Sequence, residues 1–240
     1  MTIMKKSLIC LVALLGLATA FTGCKKESLG LTEITYFAEI ILDGDETMVV
    51  AKGTTFEDPG FTATMAGEDV TGRVTVTSDV DTSTSGVYHV TYSMVNDDGF
   101  PASVTRTVVV LDLSDPVEGF WACDPTSFRL NANTGATVAY GAPFEILIIS
   151  EGDGKYAVDD LLAGWYCQRA GYGTNYAMVG EISISDLGVI TLEDSYVPGW
   201  GDTADKLENG LYVALTNTIT YELTYAGYLV FNVTLNKVEL

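Results

Sequence analysis

From Ile34 to the end of the chain, apolar residues fall in short runs that alternate with polar residues, without the spacing of a helix. β-branched and aromatic residues fill these runs, and glycine, aspartate and asparagine separate them. In the run Val87–Tyr92 the even-numbered residues share one face and the odd-numbered residues the other, which is the two-residue period of a strand. The pattern predicts an all-β protein. The other predicted strands are Arg73–Thr77, Val104–Leu111, Phe144–Ile149, Ala177–Ile184, Ile219–Thr224 and Tyr228–Leu235.

The beginning of the chain has a different pattern. Lys5 and Lys6 precede the run Leu8–Ala20, which contains no charged residue. This order is that of a secretory signal peptide, and the run is shorter than the roughly 20 residues that a permanent membrane-spanning helix needs. We therefore expect the protein to be exported.

The residues that follow this run are Phe21-Thr22-Gly23-Cys24. They resemble the lipobox of bacterial lipoproteins, with phenylalanine in place of its usual leucine. The resemblance implies that residues 1–23 are a lipoprotein signal peptide, that Cys24 carries the lipid and that residues 24–33 form a lipidated tether. Two or more acyl chains hold a protein stably on a membrane, so we expect a lipid anchor in the outer membrane, with the folded part facing the periplasm or the surface. An ordinary cleaved signal followed by a chance cysteine is the alternative.

A break near Asp112–Glu118 divides the exported part in two. The stretch is polar, follows a strongly apolar strand and contains Pro116, which has no N–H to donate to a sheet. About 80 residues precede the break and about 120 follow it, and both lengths suit single domains. We predict domains over residues 34–113 and 117–240.

The first of these segments contains six short motifs. They are Asp58-Pro59-Gly60-Phe61, Asp69-Val70-Thr71, Gly86-Val87-Tyr88, Val90-Thr91-Tyr92, Asp97 with Gly99, and Arg106-Thr107-Val108-Val109-Val110. The first has the chemistry of a turn, because proline presets φ and glycine accepts a positive φ. In this order the motifs resemble a bacterial immunoglobulin-like domain, of a type widespread in surface lipoproteins of the Bacteroidetes. The resemblance implies a β-sandwich that acts as a spacer or display module and contributes no catalytic residue.

Turn-forming residues divide the second segment into about eight or nine strands, enough to close a small barrel. The predicted hairpin turns are Glu151–Gly154, Ala170–Gly173, Ser185–Gly188 and Tyr225–Gly227. The motif Gly119-Phe120-Trp121 resembles the opening of lipocalin-like barrels, and the segment resembles the lipocalin-like domains that follow immunoglobulin-like modules in Bacteroidetes lipoproteins. We therefore predict an antiparallel lipocalin-like β-barrel, with a second β-sandwich as the alternative.

Composition argues against several classes of function. The formal net charge of −20, from 12 basic and 32 acidic residues, disfavours nucleic acid as a partner. His89 is the only histidine and lies on a predicted strand, so histidine-based zinc sites and catalytic triads lack parts. Asp43–Glu46 and Glu151–Gly154 have the chemistry of turns rather than the ligand spacing of a calcium loop. We predict no metal, no cofactor and no catalytic residue.

Paired carboxylates leave one enzymatic alternative, a glycoside hydrolase, which needs an acid and a base or nucleophile across a cleft. The available residues are Asp159-Asp160, Glu181 and Glu193-Asp194. Adjacent carboxylates on a strand point to opposite faces, and such pairs arise by chance among 32 acidic residues. The protein is therefore predicted not to be an enzyme.

Cys123 and Cys167 are the only cysteines after Cys24. Two cysteines in an exported protein favour a disulfide, which would stabilise the fold by about 4 kcal/mol in the loop-entropy model. Each cysteine shares strand parity with a tryptophan two positions earlier. Two inward-facing free thiols are therefore an equal alternative.

Aromatic residues concentrate in two glycine-rich stretches, 164–176 and 196–202. Exposed aromatic faces stack on sugar rings, although the same side chains also fill the cores and mouths of small barrels. Trp200, flanked by Gly199 and Gly201, is predicted to lie exposed in a loop, whereas Trp121 and Trp165 are predicted to be core. The predicted ligand-binding residues are Trp200, Tyr196, Asp202, Tyr172 and Tyr176.

These features lead to one functional hypothesis and its main rival. The hypothesis is a non-enzymatic cell-envelope lipoprotein that binds or displays a ligand, with glycan as the expected ligand class. The rival is a structural or assembly protein that contacts an outer-membrane protein. A cavity inside the barrel would favour the first, and a packed interior would favour the second.

Overall fold

The structure, a computed structural model, describes residues 34–239. The predicted signal peptide, Cys24 and the tether 24–33 lie outside the described residues. The described part is all-β, as predicted. Within it, no helix is long and apolar enough to cross a membrane.

The first part of the described chain has seven strands. They are β1 (Ala38–Leu42), β2 (Thr47–Ala51), β3 (Phe61–Met65), β4 (Glu68–Asp69), β5 (Thr75–Ser78), β6 (Gly86–Val95) and β7 (Pro101–Leu111). One sheet has the order β1-β3-β4, and the other has the order β2-β7-β6-β5, in which β2 runs parallel to β7. Val90, Tyr92, Val108 and Val110 form the core of this part. Along β6 the buried residues alternate with half-buried ones, as the sequence period predicts, whereas Val108–Leu111 at the end of β7 are all buried.

The second part has ten strands. They are β8 (Gly119–Cys123), β9 (Phe128–Asn131), β10 (Ala136–Ala139), β11 (Glu145–Gly152), β12 (Lys155–Val158), β13 (Val179–Ile184), β14 (Ile190–Tyr196), β15 (Lys206–Val213), β16 (Thr218–Tyr225) and β17 (Leu229–Lys237). Together they form one curled antiparallel sheet. A single curled sheet is the predicted barrel-like fold, and the alternative of a second β-sandwich is wrong.

The barrel path runs β8-β11-β12-β13-β14 on one side and β17-β16-β15 on the other, with β17 paired to β8. A short seam joins β14 to β15, where Val189 bridges Leu211 and the Tyr212 N–H donates to the Gly188 carbonyl at 2.8 Å. The hairpin β9–β10 extends the sheet beyond β17. Every residue of β10 is exposed, so no burial pattern in the sequence announces it.

Side chains fill the barrel interior. Trp121, Ile146, Leu223 and Phe231 are fully buried there and belong to one apolar cluster contributed by strands all around the barrel. Small barrels of this strand number have just enough width for side chains to pack. The interior is therefore a core rather than a chamber for a ligand.

The linker between the two parts is held against the barrel. The Asp112 N–H donates to the Glu118 carboxylate at 3.0 Å, and the Val117 N–H donates to the Asp115 carboxylate at 2.8 Å. Lys237, near the end of β17, donates to the Pro116 carbonyl. The division at residues 113 and 117 stays a prediction, but the residues around it are anchored by hydrogen bonds.

Candidate ligand-binding site

Four connections meet at the end of the barrel that lies away from the linker, here called the distal end. They are the turns 132–135 and 226–228, the connection 197–205 and the long connection 159–178. β8 begins at the linker and its neighbours β11 and β17 run antiparallel to it, so the linker lies at the other end of the barrel. Of the four predicted hairpin turns, Ala170–Gly173 is wrong, because it lies inside the long connection after a π-helical turn, Trp165–Arg169.

Buried Asp160 organises the long connection. Its carboxylate accepts hydrogen bonds from the backbone N–H groups of Leu162, Gly164 and Met178, each at 2.9 Å. The thiol of Cys167 donates to the same carboxylate at 3.1 Å. Burial raises the pKa of Asp160, and these four hydrogen bonds oppose that shift. One carboxylate thus holds both ends of the loop that carries most of the distal aromatic residues.

The distal end carries a cluster of five aromatic side chains, here called the aromatic platform. Trp200 is its centre, with ring centroids 4.8 Å from Tyr166 and 4.9 Å from Tyr176. Tyr172 and Tyr225 lie 6.4 and 6.3 Å away. Trp200 is 40% exposed and Tyr172 56%, whereas the other three are half-buried or buried. The platform therefore offers two accessible rings on a packed aromatic base.

Local backbone structure fixes Trp200 in place. A bridge between Val197 and Asp202 closes the loop tip, and the Gly201 N–H donates to the Val197 carbonyl at 2.8 Å. The Gly199 N–H donates to the Asn175 carbonyl, which ties this loop to the long connection. A Cβ at Gly199 would lie 2.6 Å from the Tyr176 ring, so only glycine allows this approach.

Asp202 orients Tyr225 at the base of the platform. The Tyr225 hydroxyl donates to Asp202 Oδ2 at 2.9 Å. Burial and this carboxylate together raise the pKa of Tyr225, so the tyrosine stays neutral at physiological pH. Tyr225 in turn stacks on Trp200 with an interplanar angle of 26°. Asp202 acts on the platform through Tyr225.

The fold and a solved relative together decide the family. The lipoprotein BT2262 from Bacteroides thetaiotaomicron is 39% identical to this chain, and the match covers 84% of this chain and 100% of that one, with a TM-score of 0.73. The chain belongs to the BT2262 family. A family model of a C-terminal domain matches residues 110–237, and a model described as a bacterial surface protein, Ig-like domain, matches residues 40–110. The predicted resemblance to an immunoglobulin-like Bacteroidetes lipoprotein is confirmed.

More distant structures add no argument. CBM51-2 in complex with GlcNAc and INT domains, from Clostridium perfringens ZmpB, is 16% identical over 55% of this chain and 34% of that chain, with a TM-score of 0.27. The M60 catalytic domain with CBM51-1 and CBM51-2, from the same protein, is 19% identical over 50% and 15%, with a TM-score of 0.26. These scores do not indicate a shared fold. No curated protein matches the chain.

In this BT2262-family member, the structure brings together three of the five predicted ligand-binding residues directly. Trp200, Tyr172 and Tyr176 share the platform, and Asp202 joins it through Tyr225. Tyr196 is 45% exposed and lines a cleft on the outside of β11–β14 that also contains Val87 of β6. Its hydroxyl lies 4.0 Å from the position that a Cβ at Gly201 would take, so it borders the loop of Trp200 without joining the ring cluster. Sequence reasoning did not select Tyr166 or Tyr225. Tyr225 closes a strongly alternating strand, but nothing local indicates that it lies beneath Trp200.

The outer cleft beside Val87 is the place where the hydrolase alternative can be examined. Glu151, Asp159, Glu181 and Asp194 all contribute to its lining. Burial raises the pKa of Asp159 to about 7, and the hydrogen bond from Lys155 lowers that of Glu181, which are the directions an acid and a nucleophile need. Both carboxylates, however, already have partners within the protein.

Lys155 Nζ lies 2.5 Å from the Glu181 carboxylate, and the Leu147 N–H donates to Asp159 at 2.9 Å. The rest of the lining is mostly aliphatic. Among the described residues, no three His, Cys, Asp or Glu side chains are grouped to hold a metal ion. Apart from Val87, the lining of the cleft comes from the outer face of the barrel.

Cys123 and Cys167 are both free thiols in the structure. Cys123 lies in the barrel core, and Cys167 bonds to Asp160 at the distal end. Burial raises the pKa of Cys123 to about 11 and that of Cys167 further still. The arrangement matches the alternative of two separate thiols. His89 lies exposed on β6.

Proposed function

We propose that this protein is a lipid-anchored, non-catalytic protein of the cell envelope that binds glycan through the aromatic platform. The single observation that carries the proposal is Trp200, which stays 40% exposed although four tyrosine rings surround it. A large apolar ring held open to solvent loses burial that a core position would provide. A ligand with an apolar face that stacks on the ring would supply that burial.

Preorganisation supports binding at this site. Trp200 and Tyr172 are fixed by edge-to-face and stacked ring contacts, so little side-chain freedom remains to be lost when a ligand binds. Sugar rings have one apolar face, and hydrogen-bonding groups at the platform edge, among them Asn175 and Asp202, are exposed. An open, rigid, aromatic surface suits a saccharide chain better than a small buried molecule.

The proposed anchor fits this position. The signal-like run and Cys24 would place the lipid before the immunoglobulin-like part, and BT2262 is described as a lipoprotein. The platform lies at the barrel end opposite the linker. We propose an outer-membrane anchor, with the immunoglobulin-like part as a spacer that carries the platform away from the lipid. Cys24→Ala should then release the protein from the membrane fraction, and retention without any lipid on the amino-terminal peptide would contradict the anchor.

The binding function is tested with defined oligosaccharides. Isothermal titration of chitotetraose, cellotetraose, xylotetraose, mannotetraose and trigalacturonate should find at least one that binds. Trp200→Ala should weaken that binding about tenfold or more, because a central aromatic contact typically contributes 2 kcal/mol or more. Tyr172→Ala should weaken it less. Phe100→Ala, which changes an exposed aromatic residue outside the barrel, is the matched control. Failure of every probe, or binding that survives both platform variants, would contradict the proposal.

A second candidate function, assembly with another envelope protein, is favoured by the packed interior and by two exposed leucines. Leu187 and Leu215 lie 85% and 95% exposed in the turns that follow β13 and β15, at the linker end of the barrel. Exposed apolar side chains of this size often mark contact surfaces. A Leu187→Glu, Leu215→Glu variant that loses an envelope cross-link formed by the native protein would support this function, and an unchanged cross-linking pattern would contradict it.

A further inference from the structure

Two arginines stack on one tryptophan beneath the aromatic platform. The guanidinium carbons of Arg129 and Arg169 lie 4.8 and 4.3 Å from the ring centroid of Trp165. Arg169 Nε also donates to the Tyr140 carbonyl at 3.0 Å. Arg129, on β9, pairs in register with Phe231, so its side chain shares the inward face of that buried residue. Both cations are therefore held at fixed positions in the barrel mouth.

Neither of these arginines has a carboxylate partner within the described residues. The other two arginines do, since Arg73 pairs with Asp97 at 2.7 Å and Arg106 with Asp58 at 3.3 Å. With 32 acidic and only 12 basic residues, carboxylates are abundant. The Nε atom of Arg129 is in addition buried without a hydrogen-bond partner among the described residues. A buried donor left unpaired lowers stability, and a ligand group that accepts from it would recover that cost.

One tyrosine connects the arginines to the platform. The Tyr166 ring lies 4.8 Å from Trp200. Burial raises the pKa of its hydroxyl, and the neighbouring Arg129 guanidinium opposes that shift. Tyr172 stacks on the ring of Tyr166, with the two ring centroids 6.2 Å apart. The nearest platform carboxylates are already engaged, Asp202 with the Tyr225 hydroxyl and Asp205 with the Gly227 N–H. The two cations thus lie beneath the exposed rings, next to Tyr166 and Trp165.

We infer that the platform selects glycans that carry a carboxylate, with a sugar ring on Trp200 and Tyr172 and the acidic group at Arg129 and Arg169. This inference rests on the proposed glycan-binding function. A guanidinium offers two parallel N–H donors that match the two oxygens of a carboxylate. The chain as a whole is strongly acidic and repels polyanions, so an acidic ligand needs local cations that no protein carboxylate neutralises.

The test compares each acidic glycan with its carboxyl-reduced counterpart, which keeps the ring and loses the charge. Suitable pairs are trigalacturonate, a hyaluronan tetrasaccharide and 3′-sialyllactose, each with its reduced form. The native protein should bind the acidic member of at least one pair about tenfold more tightly, the difference expected for a charge-assisted hydrogen bond. Raising the salt concentration should shrink that preference.

Arg169→Gln should bring the preference close to one, because it weakens binding of the acidic member much more than binding of the reduced member. Arg129→Lys keeps the charge but loses the fork, so it should retain only part of the preference. Lys155→Gln removes one positive charge at the start of β12, at the linker end of the barrel, and is the matched control. Arg169 is exposed, so its variant is expected to fold, and equal urea midpoints would verify this for each variant.

The outcomes separate this inference from the function on which it rests. If both members of every pair bind equally and Trp200→Ala weakens both, glycan binding stands and the acidic preference is overturned. A preference that persists in both arginine variants overturns it as well. If the native protein binds none of the pairs and none of the neutral probes, both proposals fail. Binding of neutral probes alone overturns only the acidic preference.

Discussion

The buried guanidinium of Arg106 lies 3.3 Å from the carboxylate of Asp58, joining β7 to the turn that precedes β3. The same guanidinium donates to the carbonyls of Asp43, Asp45 and Gly60. The Tyr92 hydroxyl completes the network by donating to Asp58 at 2.6 Å. These residues come from three separate motifs of the sequence, since Asp58 and Gly60 share one, and they act together as one polar centre in the core.

Replacement of Arg106 should therefore strongly lower the free energy of unfolding. Arg106→Met removes the ion-pair partner of Asp58 and one donor from each of three carbonyls, and breaking a buried ion pair from one side costs about 3–5 kcal/mol. Urea unfolding should detect this loss. Arg73→Gln is the control, because the Arg73–Asp97 pair is exposed and such pairs contribute about 1 kcal/mol or less. A double-mutant cycle with Asp58→Asn that gives no coupling would contradict the central role of the pair.

The network shows where sequence reasoning stops. Asp58-Pro59-Gly60 was identifiable as a turn, and the structure has Gly60 at a φ of +97°. The pairing of Asp58 with Arg106 could not be identified, because a strand pattern assigns a lone charged residue such as Arg106 to the solvent face. Two-residue periods predicted the long, half-buried strands β6, β7, β16 and β17 for the same reason that they missed β10, which buries nothing.

The distal site follows the same division. The exposure of Trp200 could be predicted from the flanking Pro198, Gly199 and Gly201, which are local features. Its neighbour Tyr166 lies in the connection 159–178, and its neighbour Tyr225 lies at the end of β16. Their convergence therefore depends on the path of the strands around the barrel. Tyr196 lies on β14 and lines the outer cleft rather than the platform, and its role in ligand binding stays a prediction.

The two parts of the chain should fold separately when the linker stays with the barrel. A chain over residues 112–240 keeps the Asp112–Glu118 hydrogen bond and the contact between Asp115 and the Tyr156 hydroxyl. We expect it to unfold cooperatively, and to be about 2 kcal/mol more stable than a chain over 117–240, which lacks two such bonds. Urea unfolding of both compares them. If residues 112–240 are unfolded alone while the full chain is folded, the two-domain interpretation fails.

The cysteines should behave as two unreactive free thiols. Burial raises the pKa of Cys123 to about 11, and Cys167 donates its S–H to Asp160, so little thiolate is present at pH 8. Titration with a thiol reagent should find almost no reaction in the folded protein. After denaturation without reductant, the mature chain should show both thiols. Their absence under those conditions would mean that a disulfide forms.

Asp159 gives stability a pH dependence of defined sign. Burial raises the pKa of its carboxyl from 3.8 to about 7, so the folded state favours the protonated form. Its contribution is therefore full below about pH 4 and is lost as the pH rises through 7. Asp159→Asn keeps an oxygen for the Leu147 N–H and should gain stability relative to the native protein between pH 4 and pH 8. The side chain reaches solvent, so we expect a small effect.

Glu181→Gln provides a control of opposite sign for that measurement. The pKa of Glu181 is lowered by its hydrogen bond to Lys155, so its contribution is present above its ordinary pKa and lost in acid. The difference in urea midpoint between variant and native protein should therefore rise from pH 4 to pH 8 for Asp159→Asn. For Glu181→Gln the same difference should fall. The same direction for both would contradict the assigned environments.

Two tryptophans of the barrel should respond very differently to truncation. Trp121 is fully buried and donates to the Val117 carbonyl at 2.8 Å, so Trp121→Ala should cost about 3–5 kcal/mol. Trp200 is 40% exposed and loses chiefly its contacts with Tyr166 and Tyr176, so Trp200→Ala should cost about 1–2 kcal/mol. Urea unfolding of both variants, with Trp200→Phe as the conservative control, measures the difference. If Trp200→Ala destabilises as much as Trp121→Ala, the residue serves the fold, and the platform loses its central argument.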